Sequence, residues 1–304
     1  MSKWMTADMP DLSERVAVVT GASAGLGLET ARALAAHGAT VVLACRDTTK
    51  GEAAARTLTG TKARVVELDL ASLTSVREAA EIIGSTCPSL DLLVNNAGVM
   101  QVPFQRTEDG FELTFGINHL GHFALTGLLL PQLLRTSGSR VVTVTSNAHR
   151  RGDLDLDPAG EYEPGAAYDR SKLANLLFAY ELHRRLQASG SSTASLAAHP
   201  GNARTALWAT SSRLERVLIG SYLRPVNFWL AQSAQRGALP QLRAATDSSA
   251  KSGECYGPDG WFQYAGSPVR VRTSPDSYDR DAASRLWRLS EQLTEVRYSF
   301  AGAR

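Results

Sequence analysis

The stretch from Arg15 to Gly38 restricts the fold more than any other part of the chain. Arg15-Val16-Ala17-Val18-Val19-Thr20 is a short run rich in β-branched residues and reads as a buried strand. Gly21-Ala22-Ser23-Ala24-Gly25-Leu26-Gly27 follows without a gap, and Leu28 to His37 is alanine-rich and helical, closed by Gly38. Strand, glycine turn and helix in that order make a nucleotide site. Glycines let the backbone turn tightly and approach a pyrophosphate, whose charge sits at the helix N-terminus. The spacing is G-x-x-x-G-x-G, not the commoner G-x-G-x-x-G.

The same alternation continues. Thr40 to Cys45 is a second strand, Arg64 to Leu70 a third, Asp91 to Asn95 a fourth and Arg140 to Ser146 a fifth, with Ser192 to Ala198 a sixth. Helical stretches separate them, so right-handed crossovers and a parallel sheet are expected. Ligands in such sheets bind beyond the strand C-termini. The glycine turn, Arg46, Asp69-Leu70 and Asn95-Asn96-Ala97-Gly98 all fall at that edge. At the end of the second strand an acid would bind a ribose 2′-hydroxyl, whereas a base would bind a 2′-phosphate. Cys45 stands where the acid is expected and Arg46 is next, which favours NADP(H) over NAD(H). Asp47 is expected to cap the following helix, Thr48 to Leu58. Asp69 has two readings, an adenine contact or a cap for the helix near Ser72.

Tyr168-Asp169-Arg170-Ser171-Lys172 carries the chemistry. On a helix Tyr168 and Lys172 share a face. An ammonium one turn away is expected to lower the phenol pKa and make the pair a proton relay to an alcohol or carbonyl oxygen. Ser146 stands at the catalytic edge of the fifth strand. Thr107 to Leu134 reads as two helices with Gly116-Ile117-Asn118-His119 between or within them. His119 and His122 are three apart without an acidic partner and read as packing, not as metal ligands. The acids from Asp153 to Glu163 alternate with Leu154 and Leu156 and read as a solvated rim loop.

Length and composition narrow the class. A chain of 304 residues, 43% hydrophobic and 20% charged, fits one globular domain, and no linker or repeat divides it. A net charge of +2 does not favour nucleic acid. Cys45, Cys87 and Cys255 form no C-x-x-C pair and read as buried thiols of a reducing compartment. Residues 1–14 read as a polar N-terminal extension and not as a signal peptide, and the longest apolar runs read as too short for a bilayer. A cytoplasmic protein is expected. Residues 205–230 are apolar for a connection, and read first as a lid over a greasy substrate, then as a membrane-surface helix or a subunit contact. Tyr256 to Tyr264 reads as a turn plus a last strand, and Leu286, Leu289, Leu293 and Val296 as one face of a final helix.

Taken in order, these motifs resemble the classical short-chain dehydrogenase/reductase family from about Arg15 to Gly257. Thr20-Gly21-x-x-x-Gly25-x-Gly27 resembles its cofactor motif, and Asn95-Asn96-Ala97-Gly98 the motif that supports the sheet and borders the cofactor. Asn118, Ser146, Tyr168 and Lys172 resemble its catalytic tetrad, and Pro200-Gly201 with Thr205 the segment at the nicotinamide carboxamide. Asn202 and Ala203 depart from the usual aliphatic residues there. Ala44-Cys45-Arg46 and the long gap from Ser146 to Tyr168 are similar to the retinol-dehydrogenase-like subgroup.

The resemblance implies a Rossmann-type doubly wound sheet in a single domain spanning 1–304. It implies NADP(H), with Gly21, Ser23, Gly25, Leu26, Gly27, Arg46, Asp69, Leu70, Asn95, Ala97, Gly98, Tyr168, Lys172, Pro200, Gly201 and Thr205 as cofactor contacts. It further implies a small lipophilic alcohol or carbonyl substrate and pairing of two chains through helices. In the implied reaction Tyr168 donates the proton, Ser146 holds the substrate oxygen, Lys172 lowers the tyrosine pKa and binds the nicotinamide ribose, and Asn118 holds a water joining Lys172 to solvent. The rival reading from another class is a regulator or scaffold that binds NADP(H) without turnover. An epimerase or double-bond reductase is a third reading on the same fold.

Overall fold

The computed structural model describes residues 3–60, 62–154, 161–202 and 232–300. One eight-stranded sheet runs through the molecule in the order β3-β2-β1-β4-β5-β6-β7-β8. The strands are β1 Val16–Thr20, β2 Thr40–Cys45, β3 Ala63–Glu67, β4 Leu92–Asn95, β5 Arg140–Val144, β6 Ala194–Ala198, β7 Cys255–Pro258 and β8 Pro268–Val271. The first seven are parallel, and β8 returns antiparallel to β7. Strand order reverses between β1 and β4, so a crevice opens at their C-terminal ends. β1, β4 and β5 are almost wholly buried, as expected of apolar strands covered on both faces.

Helices α1 Gly25–Ala36, α2 Thr48–Ala55, α3 Leu73–Thr86, α4 Leu113–Arg135, α5 Pro164–Ala188, α6 Leu239–Thr246 and α7 Arg280–Thr294 flank the sheet. One core forms where α3, α4, α5 and α7 cover one face, through residues such as Ile83, Phe123, Phe178 and Trp287. The opposite core joins α1 and α6 to the sheet through Leu34, Ala35 and Leu242. Within the polar stretch 1–14, Trp4, Met9 and Leu12 are buried in that second core. Their spacing in a polar context hid this from the sequence.

Three further differences have physical causes. The 113–135 region is one helix of 23 residues, not two, and it is long and apolar enough by composition to cross a membrane. Most of it is buried inside the fold, against α3 and the sheet. β8 was not expected, because Pro268 and the short apolar spacing around it conceal a four-residue edge strand. On α7 the buried face carries Leu286, Trp287, Ser290 and Thr294, while Leu289 and Leu293 are only partly buried. Trp287 sets that rotation by packing on Phe123 (5.2 Å between centroids), Phe178 and Tyr298.

Candidate active site

The glycine turn between β1 and α1 is built for a backbone to come close. Gly25 opens α1 with φ of 57°, where a side chain would be strained. A Cβ on Gly27 would lie within contact of the Gly21 carbonyl and at 2.6 Å from Asn96 Nδ2. A cleft of about 380 Å³ lies over this turn. Of the residues expected to touch a cofactor, Gly21, Ser23, Gly25, Leu26, Gly27, Arg46, Asp69, Leu70, Ala97 and Gly98 line it. Asn96, expected at this edge as part of the Asn95–Gly98 motif, lines it too, and so do Val99, Ile117 and Lys50, which were not anticipated. Lys50 could have been found from its place one turn into α2, three residues after the capping acid.

Arg46 is exposed at the end of β2, and no acid pairs with it among the described residues. Asp47 is already engaged. Its carboxylate caps α2 by accepting from the Lys50 amide (3.0 Å) and pairs with the Lys50 ammonium at 2.7 Å. These hydrogen bonds hold its carboxyl below the usual range. Asp69 does not cap α3, since Ser72 does. The Asp69 side chain instead accepts from the Ala71 amide at 2.9 Å, in the turn after β3.

At the end of β4, Asn95 departs from expectation. It is buried, donates to the Thr126 hydroxyl (2.9 Å) and does not line the cleft. Strand alternation explains this, because neighbouring residues face opposite sides. Asn96 is the one turned to the glycine loop, donating from Nδ2 to the Thr20 carbonyl at 2.9 Å. The buried Thr20 hydroxyl accepts the amides of Asn96 and Ala97 at 2.9 and 3.0 Å. It also meets His122 Nε2 at 2.9 Å.

Asn118 sits in a five-residue π turn, Gly116–Leu120, inside α4. Such turns recur at functional sites. Its Nδ2 donates to the Val99 carbonyl (3.0 Å) and the Ser171 hydroxyl (2.9 Å), and its Oδ1 accepts from the Val99 amide (2.8 Å). Its carbonyl accepts from His122 Nδ1 at 3.1 Å. His119 and His122 are both buried and pushed down, to about 3 and about 4, by loss of solvent. No group of His, Cys, Asp or Glu suited to a metal occurs among the described residues.

Ser146 follows β5 and caps the short 3-10 turn Asn147–Arg151, with its hydroxyl 3.3 Å from the Ala148 amide. Tyr168 and Lys172 lie one turn apart on α5, with the ammonium 5.5 Å from the centre of the phenol ring. The Ser146 side chain stands near enough to the Tyr168 phenol to favour its ionised form. The Lys172 Nζ donates to the Val144 carbonyl at 3.3 Å. The expected lowering of the tyrosine pKa is not found: burial pushes the phenol up to about 12, against the opposing effect of the nearby Ser146 hydroxyl. Burial also lowers Lys172 to about 8. Arg151 anchors the other side of the helix, holding both oxygens of Asp169 at 2.7 and 2.8 Å.

Gly98 joins the two halves. It lines the cleft, and a Cβ there would lie 3.0 Å from Asn118 Oδ1 and 3.5 Å from Lys172 Nζ. Ser146, Tyr168, Lys172 and Asn118 therefore gather at one end of the cleft without lining its wall. Pro200 and Gly201 follow β6 at the same strand edge, also off that wall. Thr205 and the 205–230 segment lie outside the described residues.

A parallel doubly wound sheet with a glycine cradle and a Ser–Tyr–Lys cluster at its switch point defines a class, and the short chain dehydrogenase pattern matches residues 15–215. The chain belongs to the short-chain dehydrogenase/reductase family, and is retinol-dehydrogenase-like within it. It is 41% identical to human Retinol dehydrogenase 13 over 289 residues, covering 92% of this chain and 84% of that one. A solved structure of an uncharacterised protein from Mycobacterium paratuberculosis is 44% identical, with a TM-score of 0.82 over 98% of this chain and all of that one. The Pseudomonas aeruginosa RhlG/NADP active-site complex is 25% identical, with a TM-score of 0.67 over 83% of this chain and 98% of its own. The chain is thus an oxidoreductase of the alcohol/aldehyde type.

Proposed function

We propose that the protein interconverts an alcohol and an aldehyde or ketone with NADP(H), on a lipophilic substrate, with Tyr168 as the acid/base. The observation that carries this reading is Gly98, which borders the cleft on one side and Lys172 and Asn118 on the other. A dinucleotide laid along the cleft from Arg46 to Gly98 fits the cradle, whose tight turn depends on Gly27: a Cβ there would strike the Gly21 backbone and Asn96. When bound, the nicotinamide group supplies or accepts the hydride. The chain's own residues handle the oxygen. Tyr168, held neutral by burial, is the proton donor in the reducing direction. The Ser146 hydroxyl shares that proton path and holds the oxygen in place. Lys172 offers a buried ammonium beside the ring. Asn118 holds Val99 and Ser171 and so braces the end of the cleft.

Arg46 supports NADP(H), since its guanidinium has no acid to neutralise it among the described residues and Lys50 stands nearby in the cleft. The related RhlG was solved as a complex with NADP. The test is NADPH consumption by the purified protein across lipophilic aldehydes, ketones and steroids, with NADH alongside. Turnover with NADPH well above NADH is expected. Arg46→Ala should raise the KM for NADPH by ~10-fold or more, as expected for a lost charge-assisted phosphate contact of ~1.5–3 kcal/mol, while leaving NADH nearly unchanged. An equal effect on both cofactors would remove Arg46 as the 2′-phosphate ligand. Tight NADPH binding without turnover on any carbonyl would favour the regulator reading.

A lipophilic substrate is supported by the turn between β7 and β8. Trp261 and Phe262 are 77% and 66% exposed there. Asn147, next to Ser146, fastens this turn by donating from Nδ2 to the carbonyls of Phe262 (3.1 Å) and Gln263 (3.2 Å). Phe262 and Gln263 both adopt the left-handed region, at φ of 48° and 59°. Strain of this kind persists where surrounding contacts enforce it. Replacing both aromatic residues by serine should raise KM for long-chain carbonyls ~10-fold or more, since each lost apolar contact is worth ~1–3 kcal/mol. Short aldehydes serve as the control, and an equal change for both substrate lengths would remove the turn from recognition.

A further inference from the structure

We propose that His149 is a positioning residue for the reaction: it sets the Ser146–Tyr168 geometry by tying the Ser146 turn, through Ser274, back to the helix that carries Tyr168. The inference rests on the oxidoreductase reading above. His149 is 1% exposed and Ser274 4% exposed, so both ends of the tie are dry. The Ser274 amide donates to His149 Nε2 at 3.1 Å. A backbone N–H can only donate, so Nε2 carries no proton and the neutral ring holds its proton on Nδ1. That proton is donated to the Ser146 carbonyl at 2.6 Å. The His149 amide donates to the same carbonyl at 3.1 Å.

The far end of the tie is equally fastened. The Ser277 hydroxyl donates to the Ser274 carbonyl at 2.6 Å and meets the Thr273 hydroxyl at 2.6 Å. The Thr273 hydroxyl meets the Tyr180 hydroxyl at 3.0 Å. Tyr180 lies on α5, the helix of Tyr168 and Lys172. A chain of buried hydrogen bonds thus runs from the turn of the catalytic serine, through the Ser274 backbone, to the helix of the catalytic tyrosine. The near side of the turn is pressed on the same helix: a Cβ on Gly152 would lie 2.5 Å from the Asp169 carbonyl. Displacement of the Ser146 backbone away from α5 requires this chain of bonds to break. Buried hydrogen bonds linked in this way rigidify the backbone groups they join, although the Ser274 hydroxyl itself has no partner among the described residues.

The two amide substitutions separate the two bonds that the His149 ring makes. His149→Asn places a donor near Nδ1 and keeps the bond to Ser146, whereas His149→Gln places its acceptor near Nε2 and loses that bond. His149→Gln should lower kcat by ~10- to 100-fold, the cost expected of a misplacement of up to ~1 Å. KM for the carbonyl, NADPH affinity and Tm should change little. His149→Asn should restore kcat to within about threefold of wild type, as expected where the retained bond carries most of the effect. In a Ser146→Ala background, His149→Gln should cost nothing further, because a residue acting through Ser146 has nothing left to act on. Wild-type kcat in His149→Gln, or full additivity with Ser146→Ala, overturns the inference alone. Equal losses in both amide variants, with NADPH binding and Tm falling together, also overturn it and leave a purely structural histidine. A wild-type protein that turns over no carbonyl overturns the oxidoreductase reading, and this inference with it.

Discussion

Replacing Tyr168 by phenylalanine is expected to leave NADPH binding intact and to remove most turnover, by ~10²- to 10⁴-fold, the usual size of a general acid–base contribution. The ring that packs beside Lys172 stays in place, 5.5 Å from its ammonium in the unaltered protein, so the loss isolates the hydroxyl. That hydroxyl is the group whose ionised form the nearby Ser146 favours. With the phenol held at about 12 by burial, Tyr168 is neutral across the physiological range. Reduction should therefore show no tyrosine-linked loss of rate up to about pH 9. Lys172, lowered to about 8, should give the rate its first alkaline limb. The measurement is kcat against pH for wild type and NADPH affinity for the variant. Full activity in Tyr168→Phe would take Tyr168 out of the mechanism.

The second large effect is acid unfolding. His119, His122, His149 and His199 are all buried and lowered by loss of solvent, to about 3, about 4, about 4 and about 3. An unfolded histidine titrates near 6.5, so below that pH the unfolded chain binds protons that the folded chain refuses. Each histidine leaves stability intact above pH 6.5 and withdraws it as pH falls toward its folded value. At pH 5 the loss is ~2 kcal/mol per group, and four such groups rival the whole ~5–15 kcal/mol of a typical domain. Cooperative unfolding is expected between about pH 5.5 and pH 4, followed by circular dichroism. Retention of the fold at pH 4 would show that these rings accept protons in place. His119→Gln should shift the midpoint down by removing one of the four.

Much of the fold was legible because several signals agreed. The runs read at Arg15–Thr20, Thr40–Cys45 and Arg140–Ser146 became the strands Val16–Thr20, Thr40–Cys45 and Arg140–Val144, and the glycine turn, Arg46 and Gly98 came to one cleft. Three kinds of fact were not legible. The facing of a residue at a strand end depends on the pleat, so Asn95 and Asn96 could not be told apart by sequence alone. The sign of the Tyr168 shift depends on how deeply the phenol is buried, and burial prevails here over the opposing effect of Ser146. The partners of His122 and His149, Thr20 and Ser274, lie 102 and 125 residues away in the chain. No local pattern records such pairs.

The π turn in α4 also has an arithmetic consequence. Its closing bond runs from the Gly121 amide to the Gly116 carbonyl, a span of five residues where an α-helix would need four. The helix thus contains one residue more than its length requires. Deleting any residue between Gly116 and Leu120 would let a regular helix close, and would rotate everything before the cut by ~100° relative to everything after it. Asn118 would leave Val99 and Ser171 even if it were not the residue removed. The same deletion near Arg135, at the far end, would only shorten the helix. The length of this element is therefore fixed at one end and free at the other, and chains that share the site should keep the count at the first end while varying at the second.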